Sequence, residues 1–252
     1  MDKPGEVENI NPYNQEDDKG EQVERMFDAI APAYDFMNTA MTFGLHRIWR
    51  DKALKAAFRE LPEKNGFNAL DIATGTGDLA FRIHSMADCS KITGIDLSSG
   101  MLEKARRKLD SLPGDERNLI AFGKADCLAL PFHEGEFDLV TVAYGVRNFS
   151  DLRKGLKEMR RVLKKEGVLC IIELSCPTGK LTALLYKFYS GKLIPFAGKI
   201  ASGDSRAYSY LPESIAACPQ REEMALLLRE AGFDTVRWKS LTFGAVTYYI
   251  GK

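Results

Sequence analysis

The sequence predicts an α/β fold built on a doubly wound, largely parallel sheet, and three observations carry that prediction. From Ala69 to Ser175, short apolar runs alternate with stretches of helical periodicity, the order that successive β–α–β units require. The run GVLCIIELS (167–175) is almost continuously hydrophobic, as a central strand covered on both faces must be. A glycine turn, GTG (75–77), separates the first strand from the helix that follows it, where a parallel sheet of this kind binds ligands.

Composition narrows the function classes. The chain has 252 residues, 45% hydrophobic and 28% charged, enough to bury one large core. Lysine plus arginine number 35 and aspartate plus glutamate also 35. That balance argues against nucleic acid as the partner, since phosphate binding leaves a basic excess. The five cysteines (Cys89, Cys127, Cys170, Cys176, Cys218) form no CxxC pair, and no histidine stands at metal-ligand spacing. No metal site is expected, and a reducing cytosol is. The start, MDKPGEVENINPYNQEDDKGE, has no apolar signal region, and nowhere do about 18 apolar residues run together. The expected protein is cytoplasmic, soluble or peripheral on the inner face of a membrane.

Residues 1 to about 20 are acidic and rich in Asn, Pro and Gly and read as a mobile tail. Residues 21–252 read as a single domain that opens on a helical cap, 21–61. Val23, Met26, Phe27 and Ile30 fall at i, i+3, i+4, i+7, one buried helix face. Pro32 interrupts that helix, and a second is expected over about His46 to Arg59. Strands follow at ALDIA (69–73), KITGID (91–96), NLIAFGKAD (118–126), FDLVTVA (137–143) and GVLCIIELS (167–175). Between them lie helices over 77–87, 98–110 and 151–165. Ser98 or Ser99 is placed to cap the second; the third opens on Asp151 and is expected to stop at Gly167. After Pro177 the alternation breaks into a helical insertion or lid, 177–215. A last helix, 221–232, leads to FDTVRWKSL and FGAVTYYIGK, close enough in sequence to pair antiparallel.

The candidate ligand residues cluster at the strand ends. Gly75-x-Gly77-x-x-Ala80 lets the backbone turn tightly and approach a ligand. Alone it is equally well a bare turn between strand and helix. Asp96, about 20 residues on, stands where a carboxylate accepts from both hydroxyls of a ribose. Asp71 lies inside the first strand and needs partners, whether ligand or protein. Asp126 ends the next strand within reach of an adenine amino group, with the Cys127 amide beside it. Both a nicotinamide dinucleotide and an S-adenosyl sulfonium carry adenosine; the carboxylate Asp71 and the antiparallel C-terminal pair favour the cationic sulfonium.

At this point the sequence resembles a known family. LDIATGTGD, GIDLSSGML, KADCLALPF, FDLVTVAYGVRN and LKEMRRVLKKEG look like a class I S-adenosylmethionine-dependent methyltransferase. YDFMNTAMTFGLHRIWRD (34–51), AYGVRNFSDLRKGLKEMRRVLKKEGVLCIIELSCP (143–177) and YSYLPESIAACPQREEMALLLREAGF (208–233) resemble, more narrowly, the ubiquinone/menaquinone biosynthesis C-methyltransferases. The resemblance covers the chain beyond its first 20 residues. It implies a Rossmann-like sheet of seven strands, six parallel and one antiparallel, with S-adenosylmethionine as cofactor. Carried over position by position, Thr76, Asp96, Asp126 and Cys127 look like cofactor contacts. Ala143 occupies a position where the family often has serine, so only backbone contact is expected there. Tyr34 belongs to the block expected to fold over the cofactor.

The implied reaction methylates a ring carbon of a prenylated quinol, demethylmenaquinol first on overall resemblance. The benzoquinol of ubiquinone synthesis and other small acceptors stay open. Methyl transfer to carbon needs the electron push of a ring hydroxyl, whose pKa is near ~10. Arg147 of GVRN is the candidate to stabilise the developing phenolate, unless it serves a structural salt bridge. Asn148 is the candidate to orient the same oxygen. His46 is either a general base or a packing histidine, while His84 and His133 read as solvent-facing. The stretch 180–200 interleaves Leu181, Leu184, Leu185, Phe188, Tyr189 and Phe196 with Lys180, Lys187, Lys192 and Lys199. It reads either as an interfacial lid meeting a membrane surface or as an ordinary packed insertion. A homodimer is the default assembly.

Overall fold

A computed structural model of the chain describes residues 7–179, 182 and 205–252. Seven strands form one sheet: β1 (Phe67–Ile72), β2 (Cys89–Asp96), β3 (Ile120–Lys124), β4 (Phe137–Ala143), β5 (Leu163–Leu174), β6 (Val236–Leu241) and β7 (Val246–Gly251). Their order is β3-β2-β1-β4-β5-β7-β6. β1 pairs parallel with β2 and β4, β2 with β3, and β4 with β5. β7 alone runs against its neighbours, pairing antiparallel with both β5 and β6. The six-plus-one arrangement expected from the sequence is therefore the observed one. The order reverses beside β1, between β1 and β4, and a ligand crevice opens at such a point above the strand ends.

Strand alternation divides the core into two layers. Leu70, Ile72, Val140, Val142, Leu169 and Ile171 face one way. They pack against α7 (Leu152–Val162) and α9 (Glu222–Glu230) through Leu156, Met159, Met224 and Leu228. Ala69, Ile92, Leu139, Val168, Cys170 and Ile172 face the other way. There they meet α3 (Leu45–Glu60) and α4 (Asp78–Met86) through Trp49, Leu54, Leu79 and Ile83. Both faces of the central strands are covered, which is why their sequence is continuously apolar. Helix α5 (Ser99–Asp110), the single turn α6 (Gly114–Arg117) and α8 (Ser205–Ala217) complete the described helices of the body. None of the described helices is long and apolar enough to cross a membrane.

Several expectations are corrected. The cap is not two helices but three: α1 (Lys19–Ile30), α2 (Tyr34–Thr42) and α3. Pro32 ends nothing for long; it sits in a single 3-10 turn, Ala31–Ala33, from which α2 starts at once, because proline is tolerated in a first turn. α7 stops at Val162, well before Gly167, and the chain enters β5 directly with Leu163 extended. Arg161 at that end is drawn away to the carbonyls of Leu130 and Phe132. The residues between are an irregularity in the β4–β5 ladder, where Phe137 pairs with Leu163 but Leu139 with Val168. The N-terminal segment does not trail off from Val7 onward. Val7 is buried in the first core layer, and Lys19 Nζ donates to its carbonyl at 2.5 Å. The apolar and basic side chains singled out in 180–200 lie outside the described residues.

Candidate active site

Two cavities lie side by side above the C-terminal ends of the parallel strands. The first, about 410 Å3, is floored by Ile72, Ile95, Leu97 and Leu128 and bordered by the ends of β1, β2 and β4. The second, about 340 Å3, is walled by Met26, Met37, Met41, Trp49, Leu174 and Leu211 from the cap, β5 and α8. Phe27, Tyr34 and Tyr144 line both and so form the partition between them.

The first cavity is built around the glycine turn. Gly75 has φ +57 and Gly77 φ +82, conformations that glycine adopts without strain. The Gly75 N–H donates to Asp96 Oδ2 at 2.8 Å, and the Ser98 N–H donates to Oδ1 at 2.8 Å. Asp96 is thus clamped between turn and helix start, and burial pushes its carboxyl up against the pull of those amides. Asp126 also lines this cavity, its Oδ1 accepting from the Leu128 N–H at 2.8 Å, with Cys127 and Ala143 beside it. Asp18, Glu21, Glu24, Asn148 and Ser150 complete the polar rim, and among the described residues no lysine, arginine or histidine contributes to the lining. A rim of five carboxylates, of which the described residues pair only Glu24 with a cation, Lys124, suits a sulfonium and an ammonium group and repels a pyrophosphate. The residues present therefore fit S-adenosylmethionine and disfavour a dinucleotide.

Three of the expected cofactor residues are brought close but do not line the cavity. Asp71 is buried beneath it, accepting from Thr74 Oγ1 at 2.6 Å and Thr141 Oγ1 at 2.7 Å. Burial raises its carboxyl to about 6 despite those two hydroxyls. It holds the turn from beneath. Thr76 is also buried: its hydroxyl donates to Asp35 Oδ1 at 2.7 Å and accepts from Lys108 Nζ at 2.9 Å. Gly77 packs so closely that an added Cβ would lie 2.8 Å from Phe122 and Phe81. Its service is to helix–sheet contact.

The second cavity receives Arg147 and His46. Arg147 Nη1 pairs with buried Glu173 at 2.8 Å and also donates to the Tyr144 carbonyl, while Nε has no partner among the described residues. The salt bridge and a place on the cavity wall turn out to be compatible. Asn148 is not brought to this cavity: it lines the first one, its Oδ1 accepting from the Tyr210 hydroxyl at 3.1 Å. His84 lies 3.1 Å from Glu116 on the surface, away from both cavities.

Sequence reasoning missed α2 and with it one side of the second cavity's wall. The signal was present, since Tyr34, Met37, Asn38 and Met41 fall at i, i+3, i+4, i+7 and all four line the cavity. Tyr144 was also missed; its φ of +59 is unusual for a side-chain-bearing residue and marks strain stored at the partition.

The comparisons with known proteins agree with this geometry. The profile of the ubiE/COQ5 methyltransferase family matches residues 15–252. A "Demethylmenaquinone methyltransferase" of Porphyromonas gingivalis is 44% identical over 97% of this chain and 98% of its own length. A "Ubiquinone/menaquinone biosynthesis C-methyltransferase" of Geotalea uraniireducens is 41% identical over 93% of this chain and 97% of its own. Among solved structures, a possible histamine N-methyltransferase of Thermotoga maritima, described as S-adenosylmethionine-dependent, superposes with a TM-score of 0.60. It is 22% identical, covering 90% of this chain and 98% of its own, and so speaks for the fold alone. With its profile, its close relatives and its sheet order in agreement, the chain belongs to the ubiE/COQ5 methyltransferase family.

Proposed function

We propose that this protein transfers a methyl group from S-adenosylmethionine to a ring carbon of a prenylated quinol, with demethylmenaquinol as the leading acceptor. The single observation that carries the reading is the pair of adjoining cavities of opposite character. One is rimmed by Asp18, Glu21, Glu24, Asp96 and Asp126 and suits a sulfonium bearing an ammonium. The other is lined by methionines and aromatics and suits a flat ring with an isoprenoid stem. The shared wall of Phe27, Tyr34 and Tyr144 is where methyl and ring carbon would meet, and holding both in line supplies much of the rate. Asp96 would accept from the ribose hydroxyls and Asp126 from the adenine amino group. Arg147 would stabilise charge on the acceptor's oxygen from the far side.

The names of the relatives support demethylmenaquinol first and the benzoquinol of ubiquinone synthesis second. A lipid-borne acceptor also calls for peripheral contact with a membrane from the cytoplasm. Phe43, which lines the acceptor cavity, is 85% exposed, and Phe243, next to the lining residue Thr242, is 80% exposed; they would meet the bilayer there. Calorimetry with S-adenosylhomocysteine and with NAD tests the cofactor half. The expected result is binding of the first only, weakened about 30-fold or more in Asp96→Ala, the equivalent of roughly 2 kcal/mol for a lost charged hydrogen-bond acceptor. Tight NAD binding, or no change in the variant, would overturn it.

A further inference from the structure

One side chain on the acceptor cavity has contacts that fix where its proton sits. His46, second residue of α3, is 4% exposed and lines that cavity. Its Nδ1 lies 2.7 Å from Thr42 Oγ1, and no hydrogen bond of its Nε2 is found among the described residues. Thr42 ends α2, and the turn through Phe43 (φ +51) and Gly44 (φ +73) folds α3 back so that Thr42 meets His46. The same Thr42 oxygen lies 2.6 Å from the carbonyl oxygen of Asn38, one turn earlier in α2.

A hydroxyl has one proton and two lone pairs, whereas a carbonyl only accepts. At 2.6 Å two oxygens without a proton between them repel, so the Thr42 proton belongs to Asn38. The Thr42 oxygen then accepts from His46 Nδ1–H. Both short contacts are hydrogen bonds in this tautomer alone, and it leaves the Nε2 lone pair bare. We propose that His46, held as the Nδ1–H tautomer by a Thr42–Asn38 relay, is the general base that takes the acceptor's ring-hydroxyl proton on Nε2. Thr42 is then a positioning residue.

The surroundings keep the base unprotonated near neutral pH. Burial lowers the His46 pKa first, with Arg50 and Arg47 of its own helix acting the same way. Asp78 of α4 and Asp35 of α2 oppose them, and Arg147 faces the cavity from across it. In the transfer, Nε2 accepts the hydroxyl proton and the oxygen's electron pair moves into the ring. The ring carbon forms a bond to the methyl as the sulfur–carbon bond breaks, its electron pair staying on sulfur as a neutral thioether. The carbon then loses its hydrogen as a proton to water, while His46 returns the first proton to oxygen. One proton is released in all, and no redox partner is needed.

This inference rests on a quinol acceptor for its role but not for its tautomer, so two readouts separate them. The chain has 3 histidines, and nitrogen-15 NMR of the intact protein at pH 7.5 resolves the protonated ring nitrogen of each. His46 is expected as Nδ1–H, with the signature lost in Thr42→Val and kept in Thr42→Ser; an Nε2–H tautomer overturns the proposal. In turnover, His46→Gln is expected to lower kcat about 10²- to 10³-fold, the range of a general base, with affinity for S-adenosylhomocysteine within about threefold. The wild-type fall in kcat/KM at acid pH, centred below the ordinary histidine value of about 6.5, is expected to vanish in that variant. Thr42→Val should lower kcat about tenfold and Thr42→Ser restore it. A His46→Gln enzyme that methylates the quinol at the wild-type rate overturns the base assignment. A wild-type enzyme that methylates no quinol removes the acceptor reading and the base role with it.

Discussion

Asp71 shows how a single residue can be anticipated as needing partners without the sequence telling which partners those are. Its position in the first strand marks it as a carboxylate in need of neighbours, and the neighbours the fold supplies are Thr74 and Thr141. Nothing in the sequence brings Thr141 to Asp71, because their contact is across strands 70 residues apart in the chain. Asp96, which ends β2, and Asp126, two residues past the end of β3, were legible because a strand end in a parallel sheet opens on the crevice. The burial of Asp71 has a consequence for stability. Its folded pKa, about 6, lies above the usual 3.8, so the native state holds the proton more tightly than the unfolded chain. The stabilisation is present below about pH 4 and is lost as pH rises through 6. Against Asp71→Asn, which does not titrate, the wild type should lose roughly 2 kcal/mol between pH 4 and pH 7. Denaturant titrations of both proteins at the two pH values measure this; a pH-independent difference would refute it.

The helices of the cap are tied to the cofactor turn as a unit. Lys108 of α5 reaches Asp35 of α2 at 2.8 Å and Asp78 of α4 at 2.7 Å, while also donating to Thr76. Arg50 of α3 pairs with the other oxygen of Asp78 at 2.9 Å. On the far side of α1, Asp28 accepts from the Ser98 hydroxyl and the Gly100 N–H at the start of α5. These contacts hold α2, and with it Tyr34, over the cofactor cavity. Lys108→Met should therefore weaken binding of S-adenosylhomocysteine about tenfold, chiefly through faster dissociation, with unfolding little changed because the group is a third exposed. Stopped-flow binding distinguishes this from an unaltered off-rate, which would separate the ion cluster from the placement of α2. α2 was missed in the sequence because Pro32 looked like a boundary and the segment is short. β5 was begun too late because Gly167 looked like a helix stop, whereas the helix ended when Leu163 became extended. Both errors come from punctuation residues whose effect tertiary contacts override. The parallel strands themselves were legible because burial on both faces leaves them no polar positions to obscure the pattern.

At the scale of the whole molecule, sheet order places a carboxylate-rimmed cavity next to an apolar one, with α2, α3 and the β6–β7 turn around the apolar mouth. Trp49 Nε1 donates to Thr242 Oγ1 at 2.8 Å, fixing that turn against α3. Phe36, Phe43, Ile48 and Phe243 stand exposed on these elements, more aromatic surface than isolated chance exposure provides. Replacing Phe43 and Phe243 together by serine should lower methylation of an acceptor embedded in vesicles about tenfold and leave a short-chain, water-soluble acceptor unaffected. Equal rates on vesicles would remove this face from membrane contact. The apolar and basic side chains of 180–200, where the sequence suggested an interfacial lid, lie outside the described residues.

The most direct test of the central claim is transfer of labelled methyl from S-adenosylmethionine to reduced demethylmenaquinol and to the reduced ubiquinone precursor, run side by side with their oxidised forms. Label is expected in methylated demethylmenaquinol, and in neither oxidised quinone, because the ring hydroxyl supplies the electron push. An enzyme that binds the cofactor but labels neither quinol would contradict the account.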